Sequence, residues 1–142
     1  MMRPTTRHTA VMIASLWLWV AAIAAVPART AHQAARSVNA GVYTEQQAKR
    51  GAEVFDKNCS MCHDTPRFTG DAFLSAWVGK PLHGLFEVIR TTMPEDNPGS
   101  LKPQQYGDVV AYFLQLNKYP AGGEELQATP DAMRAIAMEL RK

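Results

Sequence analysis

Cysteine is nearly missing from this chain: two occur among 142 residues, too few for the disulfide framework that staples small exported domains. An excess of one charge is missing as well. Fifteen Lys and Arg face thirteen Asp and Glu, a formal net charge of +2, which gives no basic patch of the kind that nucleic-acid binding requires. No stretch alternates polar and apolar residues between hairpin signals, and no segment repeats. What remains is one all-α domain of ordinary size.

The single apolar run lies at the start. Arg3 and Arg7 precede Ala10 to Val26, which carries no charge and ends in Val26-Pro27-Ala28. A positive n-region, an apolar h-region and small residues at the end form a secretory signal peptide, residues 1–28, cleaved near Ala28. The expected location is the periplasm. The alternative is a retained membrane anchor, because a run of this length reaches the lower limit for a span. Removing residues 1–28 takes away Arg3 and Arg7 and no acid, leaving thirteen residues of each sign.

Residues 29–42 are rich in Ala and polar residues without periodicity, and are expected to be a flexible leader. The folded domain is expected over 43–123. Thr44 is a suitable N-cap, and Gln47 three places on completes a capping box. The helix then runs from about Glu45 to Asp56, with Ala48, Gly51, Ala52 and Phe55 on one face. Leu82, Leu85, Phe86 and Ile89 mark a second helix that ends near Thr91. A proline-punctuated loop, TTMPEDNPGS, follows. Pro103 opens a third helix over 103–117, where its missing N–H costs nothing, and Tyr106, Val109, Val110, Phe113 and Leu114 form its apolar stripe. Residues 124–142 are expected to be a C-terminal tail with a short helix beginning at Thr129-Pro130.

Both cysteines fall in one hexapeptide, CSMCHD, residues 59–64. A structural zinc site would need a fourth ligand, and His32, His83 or a carboxylate offers no companion spacing. A thioredoxin-like redox pair belongs at a strand-to-helix junction in a βαβ unit, and no such unit is visible. A C-x-x-C disulfide would close too short a loop to stabilise much. C-x-x-C-H is the signature of covalent haem c attachment. Cys59 and Cys62 are spaced to add to the two vinyl groups at one porphyrin edge, and the next side chain, His63, becomes the proximal iron ligand.

The second axial ligand decides what the iron can do, since a Met/His pair suits electron transfer and an open position allows gas binding or peroxide chemistry. Beyond residue 28 the methionines are Met61, Met93, Met133 and Met138. Met61 is trapped between the cysteines, and Met133 and Met138 lie on the tail, where packing or exposure explains them. Met93, in the rigid loop and followed by Pro94, is the expected ligand.

CSMCH, then TTMP, then a last helix carrying DVVAYFLQLN resembles a monohaem class I cytochrome c over about residues 43–123. Gly51 and Phe55 match the family's first-helix positions, and Val109 and Tyr112 the last-helix positions they pack against. The resemblance implies a small all-α fold around one covalent haem c. TMPEDNPGSL and YGDVVAYFLQLNKYPAG are also similar to cytochromes that stand beside, or are fused to, quinoprotein dehydrogenases. By the same resemblance Trp77 would donate its indole N–H to a haem propionate, with a half-buried core tryptophan as the alternative. The chain departs from the family at one place: Pro66, whose counterpart accepts the histidine Nδ1–H, stands only three residues beyond His63. His83 is expected to be solvated, and Tyr106 and Tyr112 to be core edges.

The function implied is a periplasmic one-electron carrier and not an enzyme. It would accept electrons from a dehydrogenase and pass them to a cytochrome or oxidase. The alternative is a haem enzyme or gas sensor with an open or labile sixth position. Near-neutral charge implies docking through a mainly apolar patch at the haem edge, with membrane contact only if the N-terminal segment is retained.

Overall fold

The computed structural model describes residues 36–142; the expected signal peptide and the first part of the leader lie outside the described residues. Within the described residues no helix is long and apolar enough to cross a membrane. The elements run β1 (Arg36–Ser37), α1 (Glu45–Asn58), α2 (Gly70–Trp77), α3 (His83–Thr92), α4 (Pro103–Leu116), α5 (Pro130–Arg134) and β2 (Ile136–Ala137). Short 3-10 turns stand at Val38–Ala40 and Thr65–Phe68. The fold is the small all-α arrangement expected, with strand limited to two parallel two-residue segments.

α1 begins where its cap predicts, with the Thr44 hydroxyl accepting the Gln47 N–H at 3.1 Å. The second half of the expected capping box is not made. The Gln47 side chain is fully buried and turns to the tail instead: its Nε2 donates to the Leu126 carbonyl at 2.9 Å and its Oε1 accepts the Leu126 N–H at 2.7 Å. One amide thereby satisfies both backbone groups of a residue 79 positions away, as a neighbouring strand would. α4 begins at Pro103, and the Lys102 N–H donates to the Gln105 side chain at 2.9 Å.

α1 and α4 form the closest helix pair, crossing where Gly51 meets the Asp108 backbone and Tyr112. Beside the crossing, Arg50 donates to Asp108 at 3.1 Å and to Glu125 at 2.8 Å. Asp108 is buried, and a buried carboxylate requires such partners. Gln104 adds a further bond to Asp108 at 3.0 Å.

The boundaries drawn at 42 and 124 are corrected. From Arg36 the expected leader is part of the fold: Val38 and Val42 are buried, and the Arg36 N–H donates to the Ala135 carbonyl at 2.8 Å. The tail is equally built in, with Leu126, Met133, Ile136 and Met138 in the core. Ile136–Met138 pairs with β1 on one side and with residues 79–82 on the other, through Leu82 N–H to Ile136 O at 2.8 Å and Met138 N–H to Lys80 O at 2.9 Å. These bonds anchor the entrance of α3 to both ends of the domain. The physical reason is apolar supply, since α1 to α4 leave core faces that the segments 38–43 and 126–138 cover.

Candidate functional site

The hexapeptide 59–64 follows α1 directly. Asn58 ends that helix with its side chain on the Val54 carbonyl at 2.8 Å, and the chain then turns tightly. Cys62 N–H and His63 N–H both donate to the Cys59 carbonyl, at 3.1 and 2.9 Å. This turn places Cys59, Cys62 and His63 on one wall of a slot. Cys59 is half-buried and Cys62 exposed, and the two are not joined to each other. Burial pushes the Cys59 thiol up, with the neighbouring Cys62 adding to the shift. A C-x-x-C redox nucleophile needs the opposite.

Met93 reaches the same slot from the other side of the sequence. It ends α3, its N–H donating to the Ile89 carbonyl at 3.0 Å, and the Met93–Pro94 bond is cis. Two adjoining hollows share Cys59, His63 and Met93 as walls. The apolar one, about 450 Å³, is lined further by Phe55, Phe68, Phe73, Leu85 and Phe113. The outer one, about 420 Å³, is bordered by Asn58, Met61 and the loop acids Glu95 and Asp96. A flat apolar group that must meet both a histidine and a methionine fits this pair of hollows, which lie in the size range of cofactor sites.

The aromatic lining is ordered by mutual packing. Phe68 stacks on Phe113 with centroids 4.3 Å apart and planes 11° apart, and meets the His63 ring edge-on at 5.4 Å. Such contacts add to area burial and fix ring orientation. Phe68 thus supports the histidine, a role the sequence did not announce because no helical period runs through residues 64–69. Its neighbour Arg67 also lines the apolar hollow and, among the described residues, is the one cationic side chain there.

His63 Nδ1 is buried without a hydrogen-bond partner among the described residues. The Pro66 carbonyl, the conspicuous acceptor in the sequence, takes the Thr69 N–H at 3.2 Å and the Thr69 hydroxyl at 3.0 Å. Nδ1 is the nitrogen that orients a ligating imidazole when its N–H finds an acceptor, and neither Pro66 nor any other described residue takes it.

The other predicted residues fall as follows. Trp77 is half-buried at the edge of the apolar hollow, with the Lys80 ammonium 5.7 Å from its ring centroid. Met61 borders the outer hollow and is 93% exposed. Met133 and Met138 are buried in the tail's packing and border neither hollow. His83, expected to be solvated, is instead partly covered, with Nε2 3.5 Å from Glu87. Tyr106 lies beneath the Met93 loop, and Tyr112 packs on Phe55 with centroids 5.7 Å apart.

Residues 46–113 match the family model described as cytochrome c oxidase, cbb3-type, subunit III. That span runs from the first turn of α1 to the last turn of α4 and contains every residue of the slot. No curated protein and no solved structure matches the chain. The C-x-x-C-H spacing, the slot built around it and the family match agree: residues 46–113 form a c-type cytochrome domain, and its cofactor is covalently bound haem c.

Proposed function

We propose that the chain is an exported, periplasmic one-electron carrier that receives electrons from a quinoprotein dehydrogenase and delivers them to a cytochrome or respiratory oxidase. The observation that carries this reading is the convergence of Cys59, His63 and Met93 on the walls of both hollows, with Cys62 bordering the outer one. Bound haem c supplies a one-electron iron couple. Cys59 and Cys62 would hold it through thioethers, and His63 and Met93 would ligate its iron, a pair that raises the reduction potential. Phe55, Phe68, Phe73, Leu85 and Phe113 keep water from the slot, so that the charge change is felt in a medium of low polarity. Trp77, at the hollow's edge, would donate its indole N–H to a propionate.

The donor is supported by the likeness of TMPEDNPGSL to dehydrogenase-associated cytochromes, and an oxidase on the acceptor side by the description of the matched family. Exposed Met61 and Val88 border the hollows and offer apolar surface for transient docking. The test is spectroscopic and kinetic. The protein purified from the periplasm should stain for haem after denaturing electrophoresis, and its oxidised form should show the near-infrared sulfur-to-iron band, absent in Met93→Ala. Reduced dehydrogenase should reduce it in stopped flow at a rate that changes little between low and physiological salt. A band that survives in Met93→Ala removes the ligand assignment. A rate that collapses with salt removes apolar docking.

A further inference from the structure

The loop from Met93 to Leu101 is exposed from Glu95 to Ser100, yet its two ends meet at one atom. The Tyr106 hydroxyl donates to the Met93 carbonyl at 3.0 Å and accepts the Leu101 N–H at 3.2 Å. Tyr106 belongs to the first turns of α4 and is 1% exposed. On its other side Met93 is fixed by the bond of its N–H to Ile89 at the end of α3. The residue is therefore held from α3 through its N–H and from α4 through its carbonyl. The Gly99 N–H also approaches that carbonyl, at the longer distance of 3.4 Å. Within the loop, Asn97 N–H to Pro94 O at 3.0 Å and Ser100 N–H to Asn97 O at 3.3 Å shape the turn but tie it to neither helix.

We infer that Tyr106 is a positioning residue for Met93: its hydroxyl clasps both ends of the ligand loop onto α4 and so governs how readily the Met93 thioether leaves the iron. The inference rests on Met93 being the sixth ligand. A phenol serves where a phenylalanine would not, because the ring alone fills the core whereas the hydroxyl satisfies an acceptor and a donor that loop opening would otherwise release to water. Each opening of the loop must break both bonds together, so the clasp acts on the equilibrium between the bound and the displaced methionine.

The test uses full-length, haem-loaded Tyr106→Phe, which keeps the ring. Wild-type protein, Met93→Ala and Tyr119→Phe are the controls; the last removes a part-buried hydroxyl bond to the Glu139 carbonyl, 2.6 Å long, from a residue that lines neither hollow. Oxidised protein is titrated with imidazole while the sulfur-to-iron band is followed, and thermal unfolding is recorded in parallel. Tyr106→Phe should show the band without imidazole and lose it at an imidazole concentration about five- to tenfold lower than wild type, the shift equivalent to one ordinary hydrogen bond. Tyr119→Phe should lose thermal stability with no change in the imidazole midpoint. Equal midpoints for Tyr106→Phe and wild type overturn the inference, as does an equal shift in Tyr119→Phe. A band retained in Met93→Ala overturns the ligand assignment itself and is read separately. Should Tyr106→Phe fail to accumulate folded, amide exchange of wild-type Leu101 decides: acceleration by imidazole supports the clasp, and an unchanged rate overturns it.

Discussion

A Cβ atom placed on Gly51 would lie 1.9 Å from the carbonyl oxygen of Asp108. α1 and α4 therefore cross with backbone against backbone, and Tyr112 Cβ closes the same gap at 2.9 Å. A methyl group there has no flexible neighbour to displace, so Gly51→Ala must push the helices apart. The expected loss is about 1–3 kcal/mol, the usual cost of overpacking. Thermal unfolding of the haem-loaded variant checks it, and an unchanged midpoint would mean that the helices yield freely at this crossing.

Gln47 offers a second test. Replacing it with leucine keeps the volume but strands the Leu126 N–H and C=O in the core. Each unsatisfied group costs about 1–3 kcal/mol. Denaturant unfolding should show a loss near the sum of two such groups, and amide exchange at Leu126 should rise. A variant as stable as wild type would show that Leu126 finds other partners.

The cysteines bear on the domain's integrity. Cys59→Ala with Cys62→Ala should leave the apolar lining without a covalently held partner, and the protein should lose haem staining together with cooperative thermal unfolding. A sharp transition in the colourless double variant would show a core independent of the cofactor.

On α3, Arg90 holds the Glu87 carboxyl below the usual glutamate range through a 2.8 Å bond, with His83 adding to the effect. A depressed folded-state value means that the contribution is complete above the ordinary glutamate value of 4.5 and is lost as pH falls through the lowered one. Both side chains keep partial contact with solvent, which screens the pair, so the effect is small. Glu87→Gln should flatten the acid limb of the stability profile and leave neutral pH little changed; identical acid limbs would assign Glu87 no role.

The parts of the molecule legible in the sequence were those encoded over short distances. α1, α3 and α4 showed themselves by helical spacing and by Thr44 and Pro103 at their starts. The haem motif is five contiguous residues, and Met93, which lines both hollows, stood out by its prolines. α2 was missed because Gly70–Trp77 is only eight residues and buries Phe73 alone. Gln47 was misread for a different reason: a glutamine three residues past a threonine has the form of a cap, and only the distant arrival of Leu126 gives it a better partner. The tail's helix start at Thr129-Pro130 was legible, but the segment 36–42 is too short for a period to declare itself and the buried tail residues follow none, so their apolar side chains acquire meaning only when the two ends meet.

That meeting of the ends has a kinetic side. β1 and β2 pair residues 100 positions apart, Arg36 with Ile136 and Ser37 with Ala137, so their contact closes nearly the whole described chain. Closing so long a loop is entropically unfavourable until the helices have shortened the path, and contacts of that separation form late. The strand pair should therefore be absent from the folding transition state. Lesions at Ser37 or Ile136 should leave the rate of folding almost untouched and hasten unfolding, which makes the seam between first and last segments the place where the lifetime of the native protein is set.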